Sequence, residues 1–390
     1  MDGARSRRSA LRELAWLFLK LGTTAFGGPA AHIAMMEDEV VRRRGWLTRA
    51  QFLDLLGATN LIPGPNSTEL AIHIGHARAG WPGLLVAGAC FILPATLIVM
   101  ALAWVYLHYG RLPQTAGVLY GVKPVVIAVV LQALWGLGRT AIRGPGVALL
   151  ALAAAGASAL GADELAVLAG AALAAGAAHA ARSLSRRAPP AAGAGALLLA
   201  PFIAKPALAG VGGGGAAAVS LPALFAFFAK VGSVLFGSGY VLLAFLRGGL
   251  VDERGWLTEA QLLDAVAVGQ VTPGPVFTTA TFIGYVLAGG PGAAAATIGI
   301  FLPAFVFVAA SAPLVPRIRR SPLAGAVLDG VNAASLALMA VVTVRLATSA
   351  LVDGLTLALA AASAVCLLGF RINSSWLVLA GALVGFLATR

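Results

Sequence analysis

The amino-acid sequence predicts an all-α polytopic membrane protein built from two homologous halves, arranged as inverted-topology repeats with broken, re-entrant helices. Three observations lead to this fold class. Hydrophobic residues make up 59% of the 390 residues and charged residues only 11%, whereas soluble domains carry roughly 25% charged residues. A long series of matching residues recurs at one spacing, and loops at matching positions differ in charge. A Pro-Gly-Pro triplet interrupts an apolar run once in each half.

Long apolar runs indicate several membrane crossings. Residues 83–106, 117–137 and 323–344 are each long enough to cross a hydrocarbon core of about 30 Å. The formal net charge is +12, but the arginines lie in short clusters between apolar runs, as the positive-inside rule describes. The expected partner is therefore the lipid bilayer and not a nucleic acid. Cys90 and Cys366 lie in apolar runs without a partner spacing, so no disulfide or metal framework is expected.

The matching residues indicate a tandem duplication of one membrane unit. Phe-Leu-Lys-Leu-Gly at 18–22 returns as Phe-Ala-Lys-Val-Gly at 228–232, and Pro-Gly-Pro at 63–65 returns at 273–275. The spacing is 210 residues in both pairs and becomes 209 further along the chain. Chance does not keep such a register over so long a stretch.

The charges of equivalent loops predict that the two halves lie antiparallel. Residues 42–44 are three arginines, whereas 252–254 read Asp-Glu-Arg; residues 108–111 hold one arginine, whereas 316–320 hold three. Because one half is basic where the other is less basic or acidic, the positive-inside rule favours an inverted-topology repeat. The expected division is an N-terminal membrane repeat at 1–181, a linker with one extra transmembrane helix at 182–220, and an inverted C-terminal repeat at 221–390.

The predicted elements follow in the same order in each half. A short helix at 11–25 or 223–235 ends at a glycine break, Gly27-Gly28-Pro29 or Gly237-Ser238-Gly239. A more polar helix follows. A second helical hairpin, broken at Pro-Gly-Pro, has arms of about a dozen residues, roughly half a membrane span at 1.5 Å per residue. Four spanning helices come after it.

A repeated Gly-Trp-Leu-Thr precedes each Pro-Gly-Pro hairpin. Trp46 and Trp256 are expected at the membrane–water interface, where indole rings settle. Thr48 and Thr258 are expected to cap the helices that follow.

The Pro-Gly-Pro triplets are the candidate functional elements. Proline removes a backbone donor and clashes with the preceding turn, and glycine permits a positive φ, so each triplet ends one helix and starts another. In a membrane, such backbone groups must line a cavity or be buried in protein. Matching breaks in two halves are typical of a transporter binding site.

The helix N-termini after the breaks favour an anion as the bound species. Such N-termini carry unpaired N–H groups and about half a positive charge, which suits an anion with several acceptor oxygens. Lys20 and Lys230 stand at equivalent positions inside apolar helices, where charges are costly and usually functional. The alternative is that both lysines extend to a membrane interface.

The candidate substrate-binding residues lie at and beside the breaks. In the first half they are Lys20, Gly27, Gly28, His32, Asn60, Pro63, Gly64, Pro65, Asn66, Ser67 and Thr68. In the second half they are Lys230, Ser238, Tyr240, Gln270, Pro273, Gly274, Pro275, Thr278 and Thr279. No catalytic residue, metal or cofactor is expected, and the chain is not predicted to be an enzyme.

A few acidic and histidine side chains near the first breaks are candidates for a proton relay or gate: Glu37, Glu69 and His73. Glu69, His73 and His76 also stand at i, i+4 and i+7, an acceptable spacing for metal ligands. An intramembrane metal-dependent enzyme is therefore an alternative, and polar contacts to backbone or lipid headgroups are another.

Four motifs resemble signatures of the chromate transporter family. They are Phe-Gly-Gly-Pro-Ala-Ala-His-Ile-Ala-Met-Met at 26–36, Asn-Leu-Ile-Pro-Gly-Pro-Asn-Ser-Thr at 60–68, Phe-Gly-Ser-Gly-Tyr at 236–240 and Gly-Gln-Val-Thr-Pro-Gly-Pro at 269–275. The resemblance covers both halves, as in the long two-domain form of the family. It implies a multi-pass inner (plasma) membrane protein that exports chromate from the cytoplasm and confers chromate resistance, driven by the membrane potential or a proton gradient.

Chromate fits the site inferred from the residues, because it is a tetrahedral dianion with four acceptor oxygens. Sulfate has nearly the same shape and charge, so it is the alternative substrate. The sequence is also compatible with a homodimer. An inside-negative potential favours outward movement by about 2.3 kcal/mol per charge per 100 mV. Two charges give about 4.6 kcal/mol, which sustains roughly a 2000-fold gradient.

Overall fold

The computed structural model describes residues 2–26, 28–109, 113–184, 219–236, 241–311, 322–370 and 372–388, and every regular element in these ranges is helical. The predicted all-α class is therefore confirmed. The first half contains α1 (Asp2–Thr24), α2 (Gly28–Glu37), a π-helix (Asp38–Arg43), α3 (Arg49–Thr59), α4 (Asn66–Tyr109), α5 (Pro113–Ala141), α6 (Pro145–Ala159) and α7 (Glu164–Leu184).

The second half repeats this order. It contains α8 (Leu221–Val234), α9 (Leu242–Leu246), a second π-helix (Arg247–Asp252), α10 (Glu259–Val271), a 3₁₀ turn (Val276–Thr278), α11 (Thr279–Ser311), α12 (Pro322–Ala350), α13 (Gly354–Leu368) and α14 (Ser374–Ala388). The extra helix predicted within 182–220 lies outside the described residues. The first helix begins at Asp2 and not at the predicted residue 11. The prediction followed the apolar residues, whereas the polar residues before them are also helical.

A sharp turn divides α4 and α11 into two arms each. Ala79 and Gly80 leave the helical conformation in α4, and Ala288 and Gly289 do so in α11; the glycines have φ values of 63° and 60°. Glycine adopts such values without steric cost. The arms pack closely, because a Cβ on Gly75 would collide with the carbonyl oxygen of Gly83. These turns were not predicted from the sequence.

Helices of one half pack against the last helices of the other half. The packed pairs are α5 with α14, α7 with α12, α6 with α12 and α5 with α13. Each pair has its counterpart with the halves exchanged, as a two-fold relation requires. Close glycine contacts repeat the exchange: Gly121 packs on the backbone of Gly381, and Gly330 packs on that of Ala171. The two halves therefore contact each other along several helix pairs.

Five helices in the described ranges are long and apolar enough to cross a membrane. They comprise Asn66–Tyr109, Gly117–Ala141, Glu164–Arg182, Val276–Ser311 and Pro322–Ala350. The chain is thus a multi-pass membrane protein. Of the four spanning helices predicted for each half, α6, α13 and α14 have only 15 residues each, about 22 Å at 1.5 Å per residue.

The predicted caps before the Pro-Gly-Pro hairpins are confirmed. Thr48 and Thr258 each accept a hydrogen bond from the backbone N–H three residues later, and Gln51 and Gln261 return a bond to the cap residue. Two donors at each helix start are satisfied in this way.

Replacement of Thr258 by alanine is expected to lower stability by about 1 kcal/mol, because the first turn of α10 loses its side-chain acceptor. Thermal unfolding in detergent measures the effect, with Thr258→Ser as the matched control. An unchanged unfolding temperature for the alanine variant would contradict the capping role.

Candidate functional site

Each Pro-Gly-Pro triplet binds the backbone of the opposite half. The N–H of Gly64 donates to the carbonyl oxygen of Leu235 at 2.7 Å, and the N–H of Gly274 donates to that of Ala25 at 3.0 Å. Ala25 and Leu235 occupy equivalent positions just before the two glycine breaks. Each triplet therefore contacts the residue at the end of the first helix of the opposite half, and the N–H groups of Gly64 and Gly274 are satisfied within the protein.

Small residues allow this close approach. Gly274 has a φ of +88°, and a Cβ there would lie 2.7 Å from the Cβ of Ala95 and 3.1 Å from the carbonyl oxygen of Gly22. Gly64 has a φ of +142° and lies against Ala304, the equivalent of Ala95. A side chain at either glycine would be strained by the positive φ. At Gly274 it would also press on the other half, whereas at Gly64 it would press on Glu69 of the same half.

New helical turns begin directly after both triplets, as predicted. In the first half α4 starts at Asn66, and the N–H groups of Thr68 and Glu69 donate to the carbonyl oxygen of Pro65 at 2.8 and 3.0 Å. In the second half the 3₁₀ turn starts at Val276, and α11 follows. The first N–H groups of such helices lack intrahelical partners.

The two halves differ in how their polar side chains are satisfied. Buried side-chain atoms without a hydrogen-bond partner in the described chain gather in the first half: Asn66 Oδ1, Thr68 Oγ1, both carboxylate oxygens of Glu69, His73 Nε2 and His32 Nδ1. In the second half Thr278 and Thr279 donate to the carbonyl oxygens of Pro275 and Val276, each at 2.8 Å. Most of these atoms in the described residues therefore lie in the first half, and the second half adds Asp264 Oδ1, Ser335 Oγ and Ser375 Oγ.

His32 lies directly behind the contact between the halves. Its Nε2 is 3.0 Å from the carbonyl oxygen of Ala25, the same atom that accepts from Gly274. Because a carbonyl oxygen only accepts, Nε2 carries the proton of this bond. The ring is buried and meets Phe91 edge-on at 5.6 Å. His32 thus supports the broken segment at Ala25.

Of the two predicted lysines, Lys20 forms an ion pair with a carboxylate outside the triplets, whereas Lys230 has only a weak electrostatic interaction with one. Lys20 Nζ is 2.8 Å from Glu39 Oε1, and this bond, with Arg44, lowers the pKa of the Glu39 carboxyl from its ordinary value. Lys230 is exposed, and its charge acts on Glu164. Neither carboxylate was predicted from the sequence as a partner of a lysine, since neither lies near a Pro-Gly-Pro break.

The remaining predicted residues lie apart or in other contacts. Asn60 accepts from Asn66 Nδ2 at 2.9 Å, Glu37 pairs with Arg49 at 3.6 Å, and His76 lies edge-on to Trp81. Three other predicted binding residues are described by the structure: Gly28 has a positive φ, Ser67 is buried, and Gln270 is half-buried. Gly27, Ser238 and Tyr240 lie outside the described residues.

The metal-dependent alternative gains no support from the geometry. Within the described part of the chain, no three His, Cys, Asp or Glu side chains are placed to hold a metal ion together. Glu69 and His73 are buried, whereas His76 turns to the tryptophan at the head of the next arm.

A second polar cluster, which the sequence analysis did not include, joins three helices. Lys123 Nζ on α5 lies 3.0 Å from Asp264 Oδ1 on α10, and the Tyr106 hydroxyl on α4 donates to Asp264 Oδ2 at 2.9 Å. Oδ1 itself accepts no hydrogen bond in the described chain, so the lysine contact is purely ionic. The cluster lines a cavity of about 340 Å³. The repeat of Asp54 as Asp264 was the available sequence signal.

A multi-pass α-helical chain whose two halves meet through broken helices has the construction of a membrane transport protein. The model of the chromate transporter family matches residues 12–177 and 222–386. The chain belongs to the chromate transporter family.

Curated relatives agree over nearly the full length. The chain is 36% identical to a chromate transport protein of Cupriavidus metallidurans, covering 97% of this chain and 93% of the relative. It is 33% identical to a chromate transport protein of Pseudomonas aeruginosa (95% and 90%) and 32% identical to a probable chromate transport protein of Synechococcus elongatus (88% and 86%). No solved structure matches the chain.

Proposed function

We propose that this chain is a secondary active transporter that exports chromate across the cytoplasmic membrane by alternating access at a site between two inverted repeats. The observation that carries the proposal is the reciprocal contact of the broken helices, Gly64 with Leu235 and Gly274 with Ala25. The names of the full-length relatives support the substrate. The opposite loop charges support the inverted arrangement.

The paired breaks suit alternating access because they give a fixed contact about which the halves can rock. Each bond joins a Pro-Gly-Pro triplet of one half to the residue at the end of the first helix of the other half, with little side-chain bulk between them. The Thr68 hydroxyl, which has no partner among the described residues, stands where α4 begins and can donate to an anion. The Asn66 amide nitrogen donates one hydrogen to Asn60 and has a second one to donate. The free N–H groups of the helix start supply donors to an anion beside them.

In this proposal the ammonium groups of Lys20 and Lys230 move toward the anion and balance its charge. Lys20 is half exposed and holds one carboxylate, so an arriving dianion can compete for its ammonium group. Removal of a charge-assisted hydrogen bond costs about 1.5–3 kcal/mol, so Lys20→Ala, Lys230→Ala and Asn66→Ala are each expected to lower transport by roughly tenfold or more.

Counterflow of radiolabelled chromate in proteoliposomes, with growth on chromate at equal membrane levels, measures this loss. Glu39→Gln is the matched control for Lys20, because it removes the partner and leaves the ammonium group. Full transport in all three variants would contradict the proposed site. Absence of counterflow in the unmodified protein would contradict the function. Unlabelled sulfate, added as competitor, tests the alternative substrate.

A further inference from the structure

Glu69 is a carboxyl group beside the contact between the halves, and it has no hydrogen-bond partner among the residues that the structure describes. It lies in the first turn of α4 with a relative exposure of 0%, and neither carboxylate oxygen has a hydrogen-bond partner in the described chain. Its Oε1 packs directly on Gly64, whose N–H bonds Leu235 of the other half. An unpaired buried carboxylate is very costly when ionised, so the group takes up a proton.

The neighbouring charges do not offset this cost. On α4 itself the titratable and charged groups are His73, His76, Arg78, Cys90, Tyr106, His108 and Tyr109. On the elements packed against it they are Arg8, Arg12, Glu13 and Lys20 of α1; His32 and Glu37 of α2; Arg49 and Asp54 of α3; Glu259 and Asp264 of α10; and Tyr285 of α11. None of these donates a hydrogen bond to Glu69.

A second unpartnered group follows one turn along the same helix. His73 stands four residues after Glu69, on the same face, and its buried Nε2 has no partner in the described residues. In the second repeat, Phe282 stands at the position of His73, at a spacing of 209 residues. The position of Glu69 is taken by a threonine, whose hydroxyl donates to a backbone carbonyl oxygen three residues earlier. Only the first repeat therefore carries a protonatable pair.

We propose that Glu69 is a proton-binding site, with His73 as its relay, and that one proton crosses with each dianion. The proposal rests on the proposed function. A dianion at the start of α4 lies beside the Glu69 carboxyl, and like charges disfavour each other. Proton and dianion therefore bind together and leave together, and the proton comes from the aqueous phase that faces the site.

This stoichiometry changes the driving force. The dianion with one proton carries a single negative charge, so 100 mV sustains a gradient of roughly 50-fold instead of roughly 2000-fold. A proton gradient adds to the driving force only when it points in the direction of anion movement. During export, an inward proton gradient opposes the transport, so the membrane potential acting on the single remaining negative charge drives it. The coupling is therefore measurable as proton entry with chromate.

The test uses the full-length protein in proteoliposomes at an alkaline pH at which chromate is a dianion, with the potential clamped at zero. An inward proton gradient should accelerate uptake of labelled chromate and carry protons to a trapped pH indicator. Glu69→Gln should keep chromate counterflow at equal concentrations and lose both the acceleration and the proton entry. Glu69→Asp keeps a carboxyl and should keep the coupling, and His73→Phe should slow it.

Glu13→Gln is the matched control, since Glu13 pairs with Arg78 at 3.2 Å; it should behave as the unmodified protein. Hydrogen chromate formed in solution would enter equally with Glu69→Gln, so persistent coupling in that variant overturns the inference. Chromate uptake by the unmodified protein without proton entry overturns it even if the glutamine variant does not fold. In both results counterflow remains, so the proposed function stands; loss of counterflow in the unmodified protein refutes the function itself.

Discussion

Gly274→Ala is expected to lower chromate counterflow by roughly ten- to thirtyfold without removing the protein from the membrane. The reason is local. A non-glycine residue at a φ of +88° costs about 1–2 kcal/mol, and the new methyl group would lie 2.7 Å from the Cβ of Ala95. Overpacking of this kind typically costs about 1–3 kcal/mol. Relief of the clash separates Gly274 from Ala25 and so breaks one of the two reciprocal bonds.

Two further variants identify the cause. Gly290→Ala is the control, because a Cβ there would meet nothing within 4 Å and its φ is not positive. Ala95→Gly, combined with Gly274→Ala, removes the clash but leaves the backbone strain, so it should restore counterflow in part. Counterflow at the unmodified rate in Gly274→Ala, at equal membrane levels, would show that the reciprocal contact is not needed for transport.

The features that a repeated sequence encodes locally were predictable. The helix starts after both triplets and the threonine caps depend on residues within one turn, so Thr48 and Thr258 could be assigned from their own surroundings. The triplets were recognised as breaks for the same reason. Which break each triplet would meet was not predictable, because Gly64 and Leu235 are joined by backbone atoms that every residue has.

The side-chain partners of the charged residues were not predictable either. Lys20 was placed near the anion because it and Lys230 are charges at equivalent positions inside apolar helices, yet the π-helix brings Glu39 to within 2.8 Å of Lys20. The turn at Gly80 had a weak signal, the proline two residues later, but an apolar run of this length also fits one continuous helix. Such choices depend on packing between elements that lie far apart in sequence.

The ion pair of Lys123 and Asp264 also joins elements that lie far apart in sequence. We expect the removal of one partner of this pair to cause the largest loss of stability. The pair joins α5 of one half to α10 of the other, and both side chains are mostly buried, with 19% and 7% exposed. Removal of one partner leaves an uncompensated buried charge, which costs about 3–5 kcal/mol. Asp264→Ala is therefore expected to lower the unfolding temperature in detergent sharply and to reduce the amount of protein in the membrane.

Replacement of both partners separates stability from function. Lys123→Met with Asp264→Leu removes both charges at similar volume, and such replacements are often neutral or stabilising. The double variant should therefore recover the unfolding temperature that Asp264→Ala loses. Tyr106→Phe, which removes only the hydroxyl bonded to Asp264, should have a small effect of about 1 kcal/mol. If the double variant is as unstable as Asp264→Ala, the loss comes from packing in the cavity and not from the unpaired lysine. If it is stable but inactive in counterflow, the charges themselves serve the transport cycle, since the anion would pass a cavity that the two halves line together.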